Sequence, residues 1–504
     1  MVTPASGPAP AEIVTSEAAL RGWYGAVLGL VAIAVVGPIW AAEYPPLVDY
    51  PIHLARGYIL YHFHDAVFSD YLEIDDRPTP NLAIDAFLLA LQPICDVRLG
   101  GKLFLTMTLW LLLAGWHLLG CAIHGNPTWL ALGGALVAYH SMFLYGFINF
   151  AFALAVFLVA TAAWLRWRTS WAWWRFLLVA ILALGCYFSH LSALVFLAGT
   201  ALAVTFWDMV QQKKVTVAMI AWLLPVLAPF GFFFFVRGSG GATTWNFPLK
   251  LVGALCLFRG YNRHADAAFI VGVAVFLILL GLWSRHVRAN GGVIFAGLGC
   301  VFMFLVGPYE IFGGSPGDAR FIPAAAALVT LSLELALPRK KALALLGLFL
   351  GLVFVRYTMI GGYWQFFQAD LREQVGLFQS FPEQAKVYPL VRVSEQPEEQ
   401  KRDLVSFHMI HYAVIDRHVY SPHLFAFAGQ QPIRYKAQPI AFHSDPHDFP
   451  SLAGEGVWSK VYANYDFVWC WNLPEVDRLI LQRRCTLVVE QGDGSIWRVT
   501  KSLR

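Results

Sequence analysis

Residues 43–56 read EYPPLVDYPIHLAR and follow the first long apolar run of the chain. The stretch sets an acid (Asp49), a histidine (His53) and an arginine (Arg56) at spacings of four and three residues, where a membrane helix should emerge into water. On a helix those spacings share one face. Pro45, Pro46 and Pro51 bracket the acid and restrict its backbone. A solvated loop acid is the plain alternative, but ionisable groups at a membrane edge are functional by default. A rigidly held carboxylate at such a surface suits a general base. Whether there is a membrane at all is decided by the rest of the chain.

The 504 residues are 58% hydrophobic and 13% charged, with a mean hydropathy of +0.57. A soluble domain carries roughly 25% charged residues, so the composition points to a polytopic membrane protein. Apolar runs at 22–42, 100–121, 128–145, 147–165, 175–188, 191–208, 217–236, 267–283, 292–307, 321–337 and 342–360 give about eleven spanning helices. Arg21, Arg166, Arg168, Arg175, Lys213, Lys214, Arg285, Arg288, Arg339, Lys340 and Lys341 fall at alternate ends of these runs. The positive-inside rule makes those ends cytoplasmic, with the N-terminus inside and the C-terminal part outside. The outer segments are then 43–99, 144–147, Ser189–His190, 237–266, 307–320 and everything after about 361.

The expected architecture is mainly α: a cytoplasmic disordered tail (1–20), a transmembrane module (21–360) and a small extracytoplasmic α/β domain (361–504). Within the first outer loop, 51–67 and 81–94 show helical amphipathicity and read as helices lying on the membrane surface. The 237–266 loop has a Gly-rich start, an amphipathic piece and a basic end. In the soluble part, strands are expected at 384–391 and 465–471, helices at 369–382, 402–417 and 473–482, and a hairpin over 485–499 turning at Gly492–Gly494. Five of the seven cysteines sit in or beside apolar runs; Cys470 and Cys485 are the pair open to a disulfide.

Several further residues carry candidate chemistry. Arg320 in GDARFIP starts the tenth helix on the Asp49 face; it is an interfacial anchor or a phosphate clamp, since guanidinium pairs bidentately with phosphate. Asp318 is positioned in sequence to orient it, with Glu310 on the same loop. Lys250, Arg259, Arg263 and Arg237 make 237–266 the most basic outer segment, against the positive-inside trend, which suits a lipid-linked phosphate. His190 and Asn149 occupy outer tips and are candidate site-lining residues, each with a structural role as the alternative. There is no Walker A, GxGxxG, HExxH or GxSxG motif, and nothing suggests a nucleic-acid partner.

The arrangement resembles the GT-C superfamily of integral membrane glycosyltransferases. The resemblance rests on Asp49 in a long first outer loop, a PxNL-like element at Pro80–Asn81–Leu82 before RLGGKLFL, a DxRF-type element (Asp318, Arg320, Phe321) before a late helix, and a soluble outer domain. It covers essentially the whole chain, and each motif is short. It departs from the family in having DYPIH where a paired DE or DD is usual, so no second carboxylate stands beside Asp49. The resemblance implies inverting transfer of a sugar from a polyprenyl-phosphate donor to a lipid, glycan or protein acceptor at the outer face of a bacterial inner membrane. Asp49 is then the general base, with Arg320 and Arg259 or Arg263 meeting the leaving phosphate. His53 orients Asp49 or joins it in binding a divalent metal (Mg or Mn); both alternatives stay open. Two other classes also stay open: a lipid-linked glycan transporter or flippase, and a non-catalytic subunit of a polysaccharide assembly complex.

Overall fold

The structure, a computed structural model, describes residues 16–235, 243–311, 314–394, 397–426, 429–437, 452 and 454–500. Residues 1–15 of the expected tail, Arg237 and residues 238–242 of the Gly-rich loop start lie outside the described residues.

The fold is a mainly helical polytopic bundle with a small C-terminal sheet domain. Among the described residues, seven helices are long and apolar enough to cross a membrane, and shorter apolar ones occupy Trp129–Leu144, Trp173–Ser189 and Gly291–Val306. Together with Phe321–Ser332 they follow the expected order of apolar runs. Run 175–208 is two helices, Trp173–Ser189 and Leu191–Gln212, broken at the single extended residue His190 (φ −170°, ψ 131°). Run 128–145 is not one helix: a 3₁₀ turn, Trp129–Gly133, gives way to short pieces at Gly134–Val137 and Ser141–Leu144.

The strands are β1 (Leu72–Ile74), β2 (His286–Ala289), β3 (Leu333–Ala336), β4 (Val387–Val391), β5 (Ile433–Tyr435), β6 (Phe467–Trp471), β7 (Cys485–Gln491) and β8 (Gly494–Val499). The run expected to span 321–337 ends as a helix at Ser332 and continues as β3, which pairs antiparallel with β2 at the basic end of the bundle. The C-terminal sheet has the order β4-β6-β8-β7, with β4 and β6 parallel and the rest antiparallel. The question left open at Cys470 and Cys485 is answered: both are free thiols. They lie on β6 and β7, with β8 between them, and strands two apart in a sheet are separated by about 9–10 Å, beyond disulfide reach.

No break in secondary structure marks residue 361, where the soluble part was expected to begin. One helix runs from Arg339 to Phe378, 40 residues. Its apolar face continues past Gly361–Gly362 through Trp364, Phe367, Leu371, Val375 and Phe378, all buried at spacings of three and four. At 1.5 Å per residue it is roughly 60 Å long, about twice a bilayer core. Its upper half is the central support of the C-terminal domain. There Gln368 holds the start of the first outer loop, accepting from Tyr44 N at 3.0 Å and donating to Tyr44 O at 3.0 Å. Gln374 donates to Ser406 (2.9 Å), and Asp370 pairs with Arg402 (2.6 Å).

The first outer loop is also built into that domain. Its β1 pairs antiparallel with β5. Its first helix, Tyr50–Tyr61, is not a surface helix: Tyr50 through Gly57 are all buried, because the helices Ala83–Leu91 and His411–Arg417 cover it. The second helix, Ala83–Leu91, keeps the expected two-faced character, burying Ile84, Asp85 and Leu88.

Candidate active site

Asp49 is the residue before the Tyr50–Tyr61 helix, and Pro51 occupies the helix's second position, where its missing N–H costs nothing. The Asp49 N–H donates to Tyr145 O at 3.0 Å. Gly146, in the left-handed region at φ +87°, lies so close that a Cβ there would come within 2.5 Å of Asp49 N. A glycine is therefore required for the YGFINF turn to pack against the acid. Asp49 is buried, 8% exposed. Its one ionisable neighbour at ion-pair distance among the described residues is His408, whose Nε2 is 3.6 Å from Oδ1. Burial pushes the Asp49 carboxyl up to about 8.

His53 does not orient Asp49. Its Nδ1 faces Arg56 Nη2 at 3.1 Å, and its ring also hydrogen-bonds the Gly146 backbone. Burial, with the Arg56 charge beside it, holds the ring neutral. No group of three or more His, Cys, Asp or Glu side chains suited to a metal ion occurs among the described residues. Arg56, fully buried, forms a bidentate pair with Asp85 through Nε–Oδ1 and Nη2–Oδ2, both 2.7 Å. Gln431 of the C-terminal domain accepts from its Nη1. The Ala83–Leu91 helix thus carries a buried carboxylate that is already bound to a cation.

Asn149 does not line the site; it fixes that helix. Its Oδ1 accepts from Ile84 N (3.0 Å) and its Nδ2 donates to Asn81 O (2.7 Å), clamping the PxNL element at both ends of its turn. Asp318 pairs not with Arg320 but with Lys250, whose ammonium also donates to the Phe304 and Gly307 carbonyls, all at 2.7 Å. Three acceptors exhaust the three protons of a lysine, so Lys250 is a brace with no donor left for a phosphate. Glu310 ties two outer loops together, accepting from Thr244 Oγ1 (3.1 Å) beside a backbone bridge between the same residues. Arg263 is exposed at the start of the Arg263–Trp283 helix, 3.3 Å from His264.

Arg320 keeps its charge uncompensated. It stands over the rings of Phe147 and Phe150 at 5.7 and 5.9 Å. Its Nε is buried with no hydrogen-bond partner, and it pairs with no carboxylate among the described residues. Burial lowers it to about 10, which leaves it protonated at neutral pH. His190 lies next to it: the Arg320 charge adds to burial in holding that ring neutral, while His190 Nδ1 accepts from Ser192 N and the ring meets Phe150 at 5.6 Å. The 145–150 turn therefore touches Asp49 at one end and Arg320 at the other. A shallow cleft opens beside it, lined by Val48, Ser141, Leu144, Tyr145, Arg259, Gly260, Tyr261, Leu404 and Val405. The lining is mostly apolar with one cation, Arg259, whose guanidinium makes no hydrogen bond among the described residues.

Among charged groups buried at this face, most are matched: Asp85 with Arg56, Asp318 with Lys250, Asp266 with Arg356. Buried Asp49 and the half-buried Arg320 and Arg259 have no such partner among the described residues. Sequence reasoning missed His408 altogether. Its signal was FHMIH (407–411), two histidines three apart in an apolar context within the C-terminal part.

The chain is similar in fold to ArnT from Cupriavidus metallidurans in its apo-state crystal structure, with a TM-score of 0.52 at 10% identity over 96% of this chain and 99% of that one. At that identity the likeness is one of fold. No family model matches the sequence, and no curated protein matches it.

Proposed function

We propose that this chain is a multi-pass inner-membrane glycosyltransferase that moves a sugar from a polyprenyl-phosphate-linked donor to a lipid, glycan or protein acceptor. The ArnT-like fold over nearly the whole chain supports transfer of a lipid-linked sugar. The observation that carries the reading is the charge mismatch at one face: one buried, cation-free carboxyl and two guanidinium groups without anions, joined by the 145–150 turn and an apolar cleft. An amphiphile with a phosphate head complements that set.

In the reaction, the acceptor oxygen attacks the sugar C1 as Asp49 takes its proton, and the bond from C1 to the phosphate oxygen breaks. Charge leaves the ring as an oxocarbenium-like centre and gathers on the departing phosphate. Arg320 and Arg259 offset that charge in a site shielded from water, where such donors count most. Asp85 is held by Arg56 in a bidentate pair, which leaves Asp49 to act as the base in a single inverting displacement. The face is the outer one, because the basic ends of the helices lie at the other.

The test is Asp49→Asn in purified protein reconstituted with a polyprenyl-phosphate sugar. Transfer should be lost while donor binding is kept. Transfer that survives the change would remove Asp49 as the base and with it this reading.

A further inference from the structure

We infer that His408, carried by the C-terminal domain, is a positioning residue for Asp49 and completes the catalytic acid–imidazole pair. The inference rests on the reading of Asp49 as the base. Asp49 comes from the first outer loop and His408 from the turn between the helices Pro397–Phe407 and His411–Arg417. The fold brings His408 Nε2 to 3.6 Å from Asp49 Oδ1, with both residues buried, 8% exposed each.

The tautomer follows from the surroundings. His408 Nδ1 is buried and has no hydrogen-bond partner. An orphaned buried N–H is rarer and more costly than an unused lone pair. The proton of the neutral ring therefore sits on Nε2, aimed at the carboxylate. That N–H is the one side-chain donor directed at Asp49 among the described residues, since His53 is engaged with Arg56 and Gly146. The ring is held from several sides: His411 Nδ1 donates to the His408 carbonyl at 2.8 Å, and Phe407 and Phe425 meet the His408 ring edge-on at 4.8 and 5.9 Å. The titratable groups around the pair are His53 on the first-loop helix, His411 on the following helix and, beyond His53, the Arg56–Asp85 pair. The distance is longer than a hydrogen bond, as it often is before substrate binds. Closing it stabilises the carboxylate form, the one that accepts a proton. One proton passes from the acceptor oxygen to Asp49 while His408 keeps its own on Nε2, and nothing is oxidised or reduced.

Two variants and two readouts test this. His408→Gln keeps an N–H donor near the Nε2 position without a ring that titrates; His408→Phe fills the space with no donor. The first readout is the pH profile of kcat. In H408F the acid limb should move to higher pH and the rate at neutral pH should fall on the order of tenfold or more; H408Q should recover most of the loss near the optimum. The second readout needs no turnover: the infrared C=O band of the protonated Asp49 carboxyl, assigned by its loss in D49N. Its titration midpoint should rise in H408F and return towards the parent in H408Q. If H408F lowers the melting temperature but leaves both the pH profile and the infrared midpoint unmoved, His408 is a packing residue and the inference fails while Asp49 stands as the base. If D49N keeps transfer, the functional reading fails instead, and an H408F midpoint that still rises keeps the His408–Asp49 coupling.

Discussion

Asp49 and Asp85 are both buried carboxyl groups beneath the C-terminal domain, and the protein gives them opposite surroundings. Asp85 receives two short bonds from a fully buried arginine that is itself held by Gln431. Asp49 receives its own helix start, a close glycine turn and a neutral imidazole at 3.6 Å. The same contrast separates Lys250, with three acceptors, from Arg320, with two aromatic faces and no anion. Matched charges in an interior set geometry; unmatched ones retain the desolvation cost and are worth keeping only where a substrate supplies the missing partner. The comparison teaches where chemistry is located without reference to motifs.

The strongest way to break the comparison is at Asp49. Asp49→Asn should reduce transfer roughly 10²–10⁴-fold, the scale of a lost general base, measured as single-turnover sugar transfer. In the parent the rate should rise with pH and level off above about 8, because burial raises this carboxyl to about 8 and only its ionised form accepts a proton. Stability runs the other way. A carboxyl raised on folding favours the fold while protonated, and that contribution is lost as pH climbs from about 4 through about 8. At pH 9, D49N should therefore melt higher than the parent, by an amount worth a few kcal/mol; equal melting curves would show that Asp49 is not held in a desolvated site.

Next in size is the matched pair. Arg56→Met leaves Asp85 buried without its cation and should cost about 3–5 kcal/mol of stability, read by denaturation in detergent. If R56M costs no more stability than D49N, the division into matched and unmatched charges is wrong. Arg320→Gln should do the reverse. It should leave the melting curve near the parent's, since no protein carboxylate loses a partner, and lower kcat about 10²–10³-fold, the scale of one lost transition-state donor. The smallest effect is expected at Asn149. Asn149→Ala removes two hydrogen bonds to the Asn81–Ile84 turn and should cost about 1–3 kcal/mol. Activity should fall only through misplacement of Asp85, so the pH profile should keep its shape.

Much of this was legible in the chain, and the residues show why. Hydropathy located the spanning runs because a bilayer demands long apolar helices whatever their neighbours. The break at His190, the first-loop helices over 50–61 and 83–91, and the strands β4, β6, β7 and β8 follow from local pattern, and the structure has them within a few residues. The helix through 361 was misread because the composition turns polar there, while the apolar face from Trp364 to Phe378 runs on unbroken. The sites of Asp49 and Arg320 on one face came from charge parity alone.

The sequence by itself determined the class of protein, the order of its helices and the address of its acid in EYPPLVDYPIHLAR. Only the tertiary structure decided which charges are matched. Arg56 and Asp85 are 29 residues apart, Lys250 and Asp318 are 68 apart, and His408 reaches Asp49 from another part of the molecule. Periodicity reports which way a side chain faces, over a few turns of one element. Whether a charge is compensated depends on what the other elements bring within about 4 Å of it, and that distance is set by packing across the fold.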